Sequence, residues 1–441
     1  MNYTMTTPYR TSIQTGTIKE EFTLKDATSY GGANLYLDYL NAIDLYTKLS
    51  ERLTVEKADY STYKFAEVCM LLIAGYTLGK DRILQFEDLE DDPLLAQKFK
   101  LDKLPHYSLL YKELERFDTE KKVDTLKLVS GDVLSHLLPN KIIMDFDSSV
   151  TTVYGQQKKA DVGYNHNKPG RSSYHPFFCF EGKTKTCLNA QLRRGTASNS
   201  PDFKTFYSET KLLLPSRTDI SYVRFDCGFG GENVYRVLEE EQVGYVGKMK
   251  ITDRLRRHAA SHRFKRVEYT DLIVESCSFN YQATSWNKKR RVVIIRTKDP
   301  NDNQLRISDE YGWDYRVLVT NLDWDDVDIW RFYNQRCGSE NYIKEVKYGF
   351  GIGNYPTDDF YPNAADLLLK IIAYNCFIGF KEDLCEEPVS TLSIERMRRY
   401  FLSIPAVLRK HARQFTLKLA ENFRFQREYI DMRRRLDEAF V

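Results

Sequence analysis

Three observations along the 441-residue chain predict a mixed α/β protein: an α-helical N-terminal part, a middle of strands and helices that becomes strand-rich, and helices toward the C-terminus. Apolar residues recur at helical spacing through the first 135 positions. From residue 141 the order runs strand, strand, strand, helix, strand, helix, and from Trp324 helical periodicity returns.

Taken in order, residues 1–30 have no period and read as an extended lead-in. Tyr36, Leu40, Ile43, Tyr46, Leu49 and Leu53 predict a helix over 34–53, and 63–76 is a second, more buried one. Short helices follow over 81–90, 93–99 and 106–117, with Asp92-Pro93 as a start signal. At Leu138-Pro139-Asn140 the character changes. Residues 141–147 alternate, Ile142, Met144 and Phe146 on one face and Ile143, Asp145 and Asp147 on the other, which is strand periodicity. Further strands are predicted over 151–154, 174–180 and 184–192, the last two joined through Glu181-Gly182-Lys183. A helix over 202–214 is capped by Ser200 or Asp202; a strand over 221–226, a helix over 231–242 and a strand over 243–250 follow. Residues 266–320 are strand-rich with polar turns. The segments group as 1–138 helical, 139–242 mixed strand and helix, 243–323 strand-rich, 324–380 helical and 381–441 helical tail.

Composition limits the function classes. With 42% hydrophobic, 13% aromatic and 29% charged residues the chain is globular in type, which excludes long disorder and fibrous classes. The longest apolar stretch, 367–380, is interrupted by Lys370 and Asn375 and is too short for a bilayer, so no membrane partner is expected. The N-terminus lacks an apolar signal core and the eight cysteines form no C-x-x-C pair, which predicts a reducing, cytoplasmic location. Net charge is only +3, yet Lys248, Lys250, Arg254, Arg256, Arg257, Arg263, Lys265 and Arg266 cluster, and 288–291 reads Lys-Lys-Arg-Arg. A solvated surface explains either run taken alone.

The topology points to a site. A three-stranded meander followed by a right-handed crossover puts 221–226 parallel to and beside 141–147. Asp147 and Asp226 both close their strands, so two carboxylates meet at neighbouring strand ends, where ligand sites of α/β sheets form. The helix predicted over 325–348 offers a third acid: Tyr333, Arg336, Glu340, Lys344 and Lys347 are spaced 3, 4, 4 and 3 apart and share one stripe. Phe332, Ile343 and Val346 on the adjacent stripe would pack on the sheet. An amphipathic helix with ordinary charge pairs would show such a stripe too.

The segment YNQRCGSENYIKEVK, with Tyr333-x2-Arg336-x3-Glu340-x6-Lys347, resembles the Y-R-E-K signature of bacterial insertion-sequence DDE transposases, whose catalytic core is RNase H-like. DFDSSVTTVYGQQ at 145–157 and VRFDCGF at 223–229 are similar to that family's first-Asp and second-Asp segments, and SYHPFF at 173–178 lies between them in the family's order. Weaker similarity covers 74–81 and 242–250. Two departures, Arg194 where a Pro-Gly pair is common and Gly338 within a helix at roughly 1 kcal/mol, leave the acids untouched.

The resemblance implies an RNase H-like core with an inserted β-rich subdomain, and an enzyme that cuts transposon ends and joins them to target DNA. It implies Asp147 as first acid and bridge, Asp226 as second and Glu340 as third, all catalytic and all ligands of Mg²⁺, for which Mn²⁺ substitutes. Two such ions, roughly 3.5–4 Å apart, activate the nucleophile, stabilise the leaving oxygen and neutralise charge at phosphorus. Asp145 is the rival for the first role; roughly 7 Å back along the strand, it reads instead as an exposed or helper carboxylate. Arg336, Lys344 and Lys347 are implied to hold DNA phosphates and Tyr333 to touch phosphate or sugar, while Arg256, Arg257, Arg290 and Arg291 serve the basic clusters. Trp286, placed at the tip of a hairpin between 279–285 and 290–297, is implied to stack a displaced base. The implied partner is double-stranded DNA, as inverted-repeat ends and target, bound by a homodimer at the bacterial nucleoid, with the N-terminal helices serving DNA binding or dimerisation. An RNase H-like nuclease without integration is one alternative. A domesticated DNA-binding protein is another, though it should have lost one of the three acids. His258 and His262 have metal-ligand spacing but no third ligand nearby, Cys227 and Cys337 lack a local His, and the glycines at 228–231 lack the Walker lysine.

Overall fold

The computed structural model describes residues 20, 22–55, 57–58, 60–166, 168–267, 271–300, 312–412 and 414–440, with the side chains of 337–341 left outside that description. The N-terminal part holds a short strand β1 (Ala27–Thr28) and six helices: α1 (Ala33–Ala42), α2 (Leu45–Arg52), α3 (Phe65–Thr77), α4 (Pro93–Lys98), α5 (Tyr107–Leu114) and α6 (Glu120–Leu134). The helix expected over 34–53 is two helices, because Asp44 takes a left-handed φ of 56° between them. Asp92 starts α4 as its sequence suggests, its carboxylate accepting from the backbone N–H groups of Leu94 and Leu95 ahead of an N-terminal Pro93.

The middle of the chain adds β2 (Lys141–Ser148), β3 (Thr151–Thr152), β4 (Asp161–Val162), β5 (Ser172–Tyr174), β6 (Phe177–Glu181), β7 (Cys187–Gln191), α7 (Asn199–Leu212), β8 (Asp219–Phe225), α8 (Glu232–Glu240), β9 (Gly244–Met249), α9 (Asp253–Ala260), β10 (Lys265–Val267), β11 (Ile273–Tyr281), β12 (Arg290–Lys298) and β13 (Asp314–Thr320). Nine of these strands form one sheet in the order β10-β11-β12-β13-β9-β8-β2-β6-β7. The meander β2–β6–β7 is antiparallel and β8 lies parallel beside β2, the arrangement the element order predicts. The strands of the expected insertion join the sheet of β2 and β8: β9, the first of them, pairs parallel with β8, and β13 pairs antiparallel with β9, so β10–β13 continue the sheet outward.

Helices cover both faces of this sheet. Ile142, Met144 and Phe146 point to one face and pack with Phe203 and Phe206 of α7 and Val234 and Leu238 of α8. On the other face lie α10 (Asp326–Asn334), α11 (Cys337–Gly349) and α12 (Phe360–Leu384). Helix α12 is long and apolar enough to cross a bilayer, but its apolar window is wholly buried within the fold, against α3, α6 and β7. The tail expected to be helical holds α13 (Ile394–Met397), then a hairpin of β14 (Ala406–His411) and β15 (Gln414–Leu419), and only then α14 (Gln426–Ala439). Pro405 stops helix propagation there, and Ala406 and Val407 pair with Thr28 and Ala27 of β1, a partner nearly 400 residues upstream.

Candidate active site

The register of β2 against β8 builds the site. Asp145 is partnered with Arg224 and Phe146 with Phe225, so the next residues along the two strands are Asp147 and Asp226, side by side where the strands end. Phe146 and Phe225 anchor this edge because both rings are fully buried in the core beneath it. Asp147 is half-buried; its Oδ1 accepts the Ser148 N–H at 2.7 Å and its Oδ2 lies 3.0 Å from Nη2 of Arg336. Asp226, also half-buried, accepts the Gly228 N–H on Oδ1 at 2.9 Å. A Cβ on Gly228 would stand 3.0 Å from Asn199 Nδ2 and 3.1 Å from Asp226 Oδ1, so glycine lets the loop close over the second acid.

Asp145, expected as an exposed or helper carboxylate, is not exposed and is not part of the strand-end pair. It is fully buried and forked by Arg224, Nε to Oδ1 at 2.7 Å and Nη2 to Oδ2 at 2.8 Å. Burial pushes its carboxyl above the usual aspartate range, against the pull of Arg224. Arg224 also donates to the carbonyl of Phe332 at 2.7 Å and lies over that ring, tying α10 to the sheet.

The polar stripe is interrupted. Helices α10 and α11 replace the one helix expected over 325–348, meeting at Gln335 and Arg336, where both residues keep αR angles but Arg336 N–H bonds back three residues to Tyr333. Arg336 is 3% exposed and donates from Nη2 to the Phe146 carbonyl at 2.9 Å as well as facing Asp147. It is therefore a carboxylate partner inside the protein and not the phosphate holder expected. Burial opposes its charge, but Asp147, with Tyr333, Asp145 and Asp226 behind it, holds the guanidinium above its ordinary pKa. The Tyr333 ring, expected on DNA, is buried with Ile329 and Trp330 against Val246, Val293 and Leu318. Glu340 lies on α11, the helix that follows Arg336, and its side chain is outside the described residues. On the same helix Lys344 is exposed and Lys347 half-buried.

A second layer that sequence reasoning missed supports the acids. Ser148, next to Asp147, receives Asn199 Nδ2 at 2.9 Å and lies 3.1 Å from His175 Nε2. His175 Nδ1 is 3.0 Å from the Ala197 carbonyl, which can only accept, so the proton sits on Nδ1 and Nε2 accepts from the Ser148 hydroxyl. Arg193 closes the network, donating to Asn199 Oδ1 at 2.7 Å and to Asp202 Oδ2 at 2.8 Å. Burial lowers the His175 pKa from its usual value, with Asp226 pulling the other way. The only sequence signal was that His175 falls within SYHPFF.

The remaining candidates separate by burial. Trp286 is not at an exposed tip: it is 6% exposed, edge-on to Tyr235 at 5.4 Å and to Tyr281 at 6.1 Å. Arg290 is buried between Glu232 and Glu239, at 2.7 and 2.8 Å. Arg291 bonds Asp326 at 2.8 Å and the carbonyls of Leu322 and Trp324. Trp286 and Arg290 are thus enclosed in the fold, and Arg291 is half-buried with its charge paired. Arg256 is half-buried over Tyr315, whereas Arg257 is exposed and, with Arg254, His258 and Lys289, lines an open groove of about 730 Å³ between α9 and the end of the β11–β12 hairpin.

The profile of the family described as transposase DDE domain group 1 matches residues 11–440. The chain belongs to this family. No curated protein matches the DDE-family chain. Among solved structures, piggyBac transposase in a synaptic complex with hairpin DNA aligns over 85% of this chain and 79% of that one, with 13% identity and a TM-score of 0.45. For a DDE-family member the donor set is the relevant chemistry. Asp147 and Asp226 offer hard carboxylate oxygens at one edge, which suits Mg²⁺ or Mn²⁺. Among the described residues no third carboxylate completes the group, the Glu340 side chain being outside them.

Proposed function

We propose that this DDE-family chain is a DNA transposase of the bacterial insertion-sequence type, cutting transposon ends and joining them to target DNA. The observation that carries this reading is the pairing of Asp147 and Asp226 at adjacent ends of parallel strands, under the helix pair that bears Arg336 and Glu340. The meander β2–β6–β7 with β8 and β9 parallel to β2 supports an RNase H-like core. Helices before residue 139 and strands β10–β13 then serve as the DNA-binding or dimerisation part and the β-rich insertion.

In this reading Asp147, Asp226 and Glu340 hold Mg²⁺ or Mn²⁺, which when bound supplies charge relief at phosphorus and activates the attacking oxygen. Arg336 holds one oxygen of Asp147 in place. The Asp145–Arg224 pair, through its bond to the Phe332 carbonyl, holds α10 and hence α11 at a set height above the strand ends. Ser148, His175, Asn199 and Arg193 hold the loop behind the acids rigid. Lys344 and Lys347 meet the phosphates on either side of the cut, and Arg254, Arg257 and Lys289 carry the DNA along the groove beside α9. The protein works as a homodimer on double-stranded DNA, in the cytoplasm at the nucleoid.

Incubation with DNA carrying the flanking inverted repeats and Mg²⁺, with nicks and joints mapped, tests this. Nicks at the ends together with joined products are expected. Nicks without joints would favour the RNase H-like nuclease reading, and DNA bound but uncut would favour the domesticated binding protein.

A further inference from the structure

The 25 residues 396–420 hold seven Lys or Arg and no Asp or Glu, in a chain whose net charge is only +3. Strands β14 and β15 lie within this run and form an antiparallel ribbon, paired from Ala406–Leu419 to His411–Gln414. Only its base is held: β1 pairs with Ala406 and Val407, and Leu408 N–H bonds the Asp26 carbonyl. Beyond that point Arg409, Lys410, His411, Gln414, Phe415 and Thr416 are all exposed.

Strand alternation sorts the ribbon into two faces. Ala406, Leu408, Leu417 and Leu419 share one, with Lys410 over the Phe415 ring at its outer end, and the buried members face the protein. Val407, Arg409, His411, Gln414, Thr416 and Lys418 share the other, which past Val407 is wholly exposed and built of hydrogen-bonding side chains. Among the described residues no carboxylate pairs with Arg409 or Lys418, whereas Arg290 and Arg291 of the other basic cluster are neutralised inside the fold. A cation held without a counter-charge on a rigid strand retains its full attraction for a polyanion.

We propose that the β14–β15 ribbon is a DNA-binding element, laying its Arg409–Lys418 face in a groove of duplex DNA. The inference rests on the transposase reading and adds to it a site outside the catalytic sheet. Two strands about 4.8 Å apart fit the B-DNA major groove, about 12 Å wide, which admits a two-stranded ribbon. Gln414 is a side chain able to read base edges, and Arg409, Lys418 and Lys410 are placed for the flanking phosphates. The competing explanation is an edge strand blunted by charge against aggregation.

The test is fluorescence anisotropy of the full chain with two labelled duplexes, one of arbitrary sequence and one carrying an element end, across a salt series. The double variant Arg409→Ala, Lys418→Ala is expected to bind both duplexes about tenfold more weakly and to flatten the log K against log salt slope by about two, one per lost phosphate contact. Arg409→Lys with Lys418→Arg should keep the wild-type slope, and Arg434→Ala on α14, also exposed, should change nothing. Thermal unfolding of every variant should match the wild type, since the altered side chains lie in solvent. Wild-type affinity and slope in the double alanine variant overturn the ribbon proposal alone. Failure of the wild type to bind any duplex overturns the transposase reading and the ribbon with it.

Discussion

Two aspartates two residues apart on β2 have opposite fates. Asp145 is enclosed with Arg224, and a Cβ on Gly182 would stand 2.7 Å from Arg224 Nη2 and 3.2 Å from Asp145 Oδ2, so glycine is needed for the hairpin to close on the ion pair. Asp147 stands at the edge with one oxygen toward Arg336. Asp145→Asn leaves a buried guanidinium without its counter-charge and is expected to cost about 3–5 kcal/mol of stability, read as a lowered denaturation midpoint. Any loss of activity in that variant would then follow its unfolding, so Asp145→Asn refolded under stabilising conditions should still cleave. His175 gives a pH signature. Its folded pKa lies below the usual 6.5, so the unfolded chain takes up the proton first. Stability should therefore be full above that value and fall as pH drops from it through the folded pKa; a His175 imidazole resonance titrating above 6.5 would contradict the neutral, Nδ1-protonated assignment. Alternation alone put Asp145 and Asp147 on one face. What it could not supply was the partner of Asp145, because Arg224 lies 79 positions away and reaches it only through the strand register.

At the scale of elements, periodicity located the helices and strands that carry their own pattern and failed where a distant segment decides. The single helix read over 325–348 is interrupted at Gln335 and Arg336, and there the Arg336 side chain reaches the sheet edge at Asp147 and the Phe146 carbonyl. The C-terminal hairpin depends on β1, and Trp286 looked exposed because four cations follow it, two of which, Lys288 and Arg290, in fact bond Glu239 on α8. Trp286 packs on Tyr235 of that same helix, so Trp286→Ala is expected to destabilise the fold by about 3–5 kcal/mol and to lower nicking and second-strand processing together. Products separated on a denaturing gel check this: selective loss of the second step would return Trp286 to a base-stacking role.

At the scale of the molecule, one continuous nine-stranded sheet joins β10–β13 through β9 to β8 and β2, so they are positioned by the same ladder that aligns Asp147 and Asp226. Formal charge was a poor guide here. The chain is near neutral, and three of the four cations at 288–291 are paired with Glu232, Glu239 and Asp326, while Arg254, Arg257, Lys289 and the C-terminal ribbon keep their charge at the surface. The strand order that brings the two aspartates together was readable from the succession of elements, since a meander followed by a helical crossover leaves few alternatives. The central claim is that Asp147, Asp226 and Glu340 act as one metal-holding group on DNA. It is tested most directly by measuring Mg²⁺-dependent cleavage of transposon-end DNA by Asp147→Asn, Asp226→Asn and Glu340→Gln beside a binding assay on the same duplex. All three variants are expected to bind the DNA and leave it uncut; cleavage near the wild-type rate by any one of them would contradict the claim.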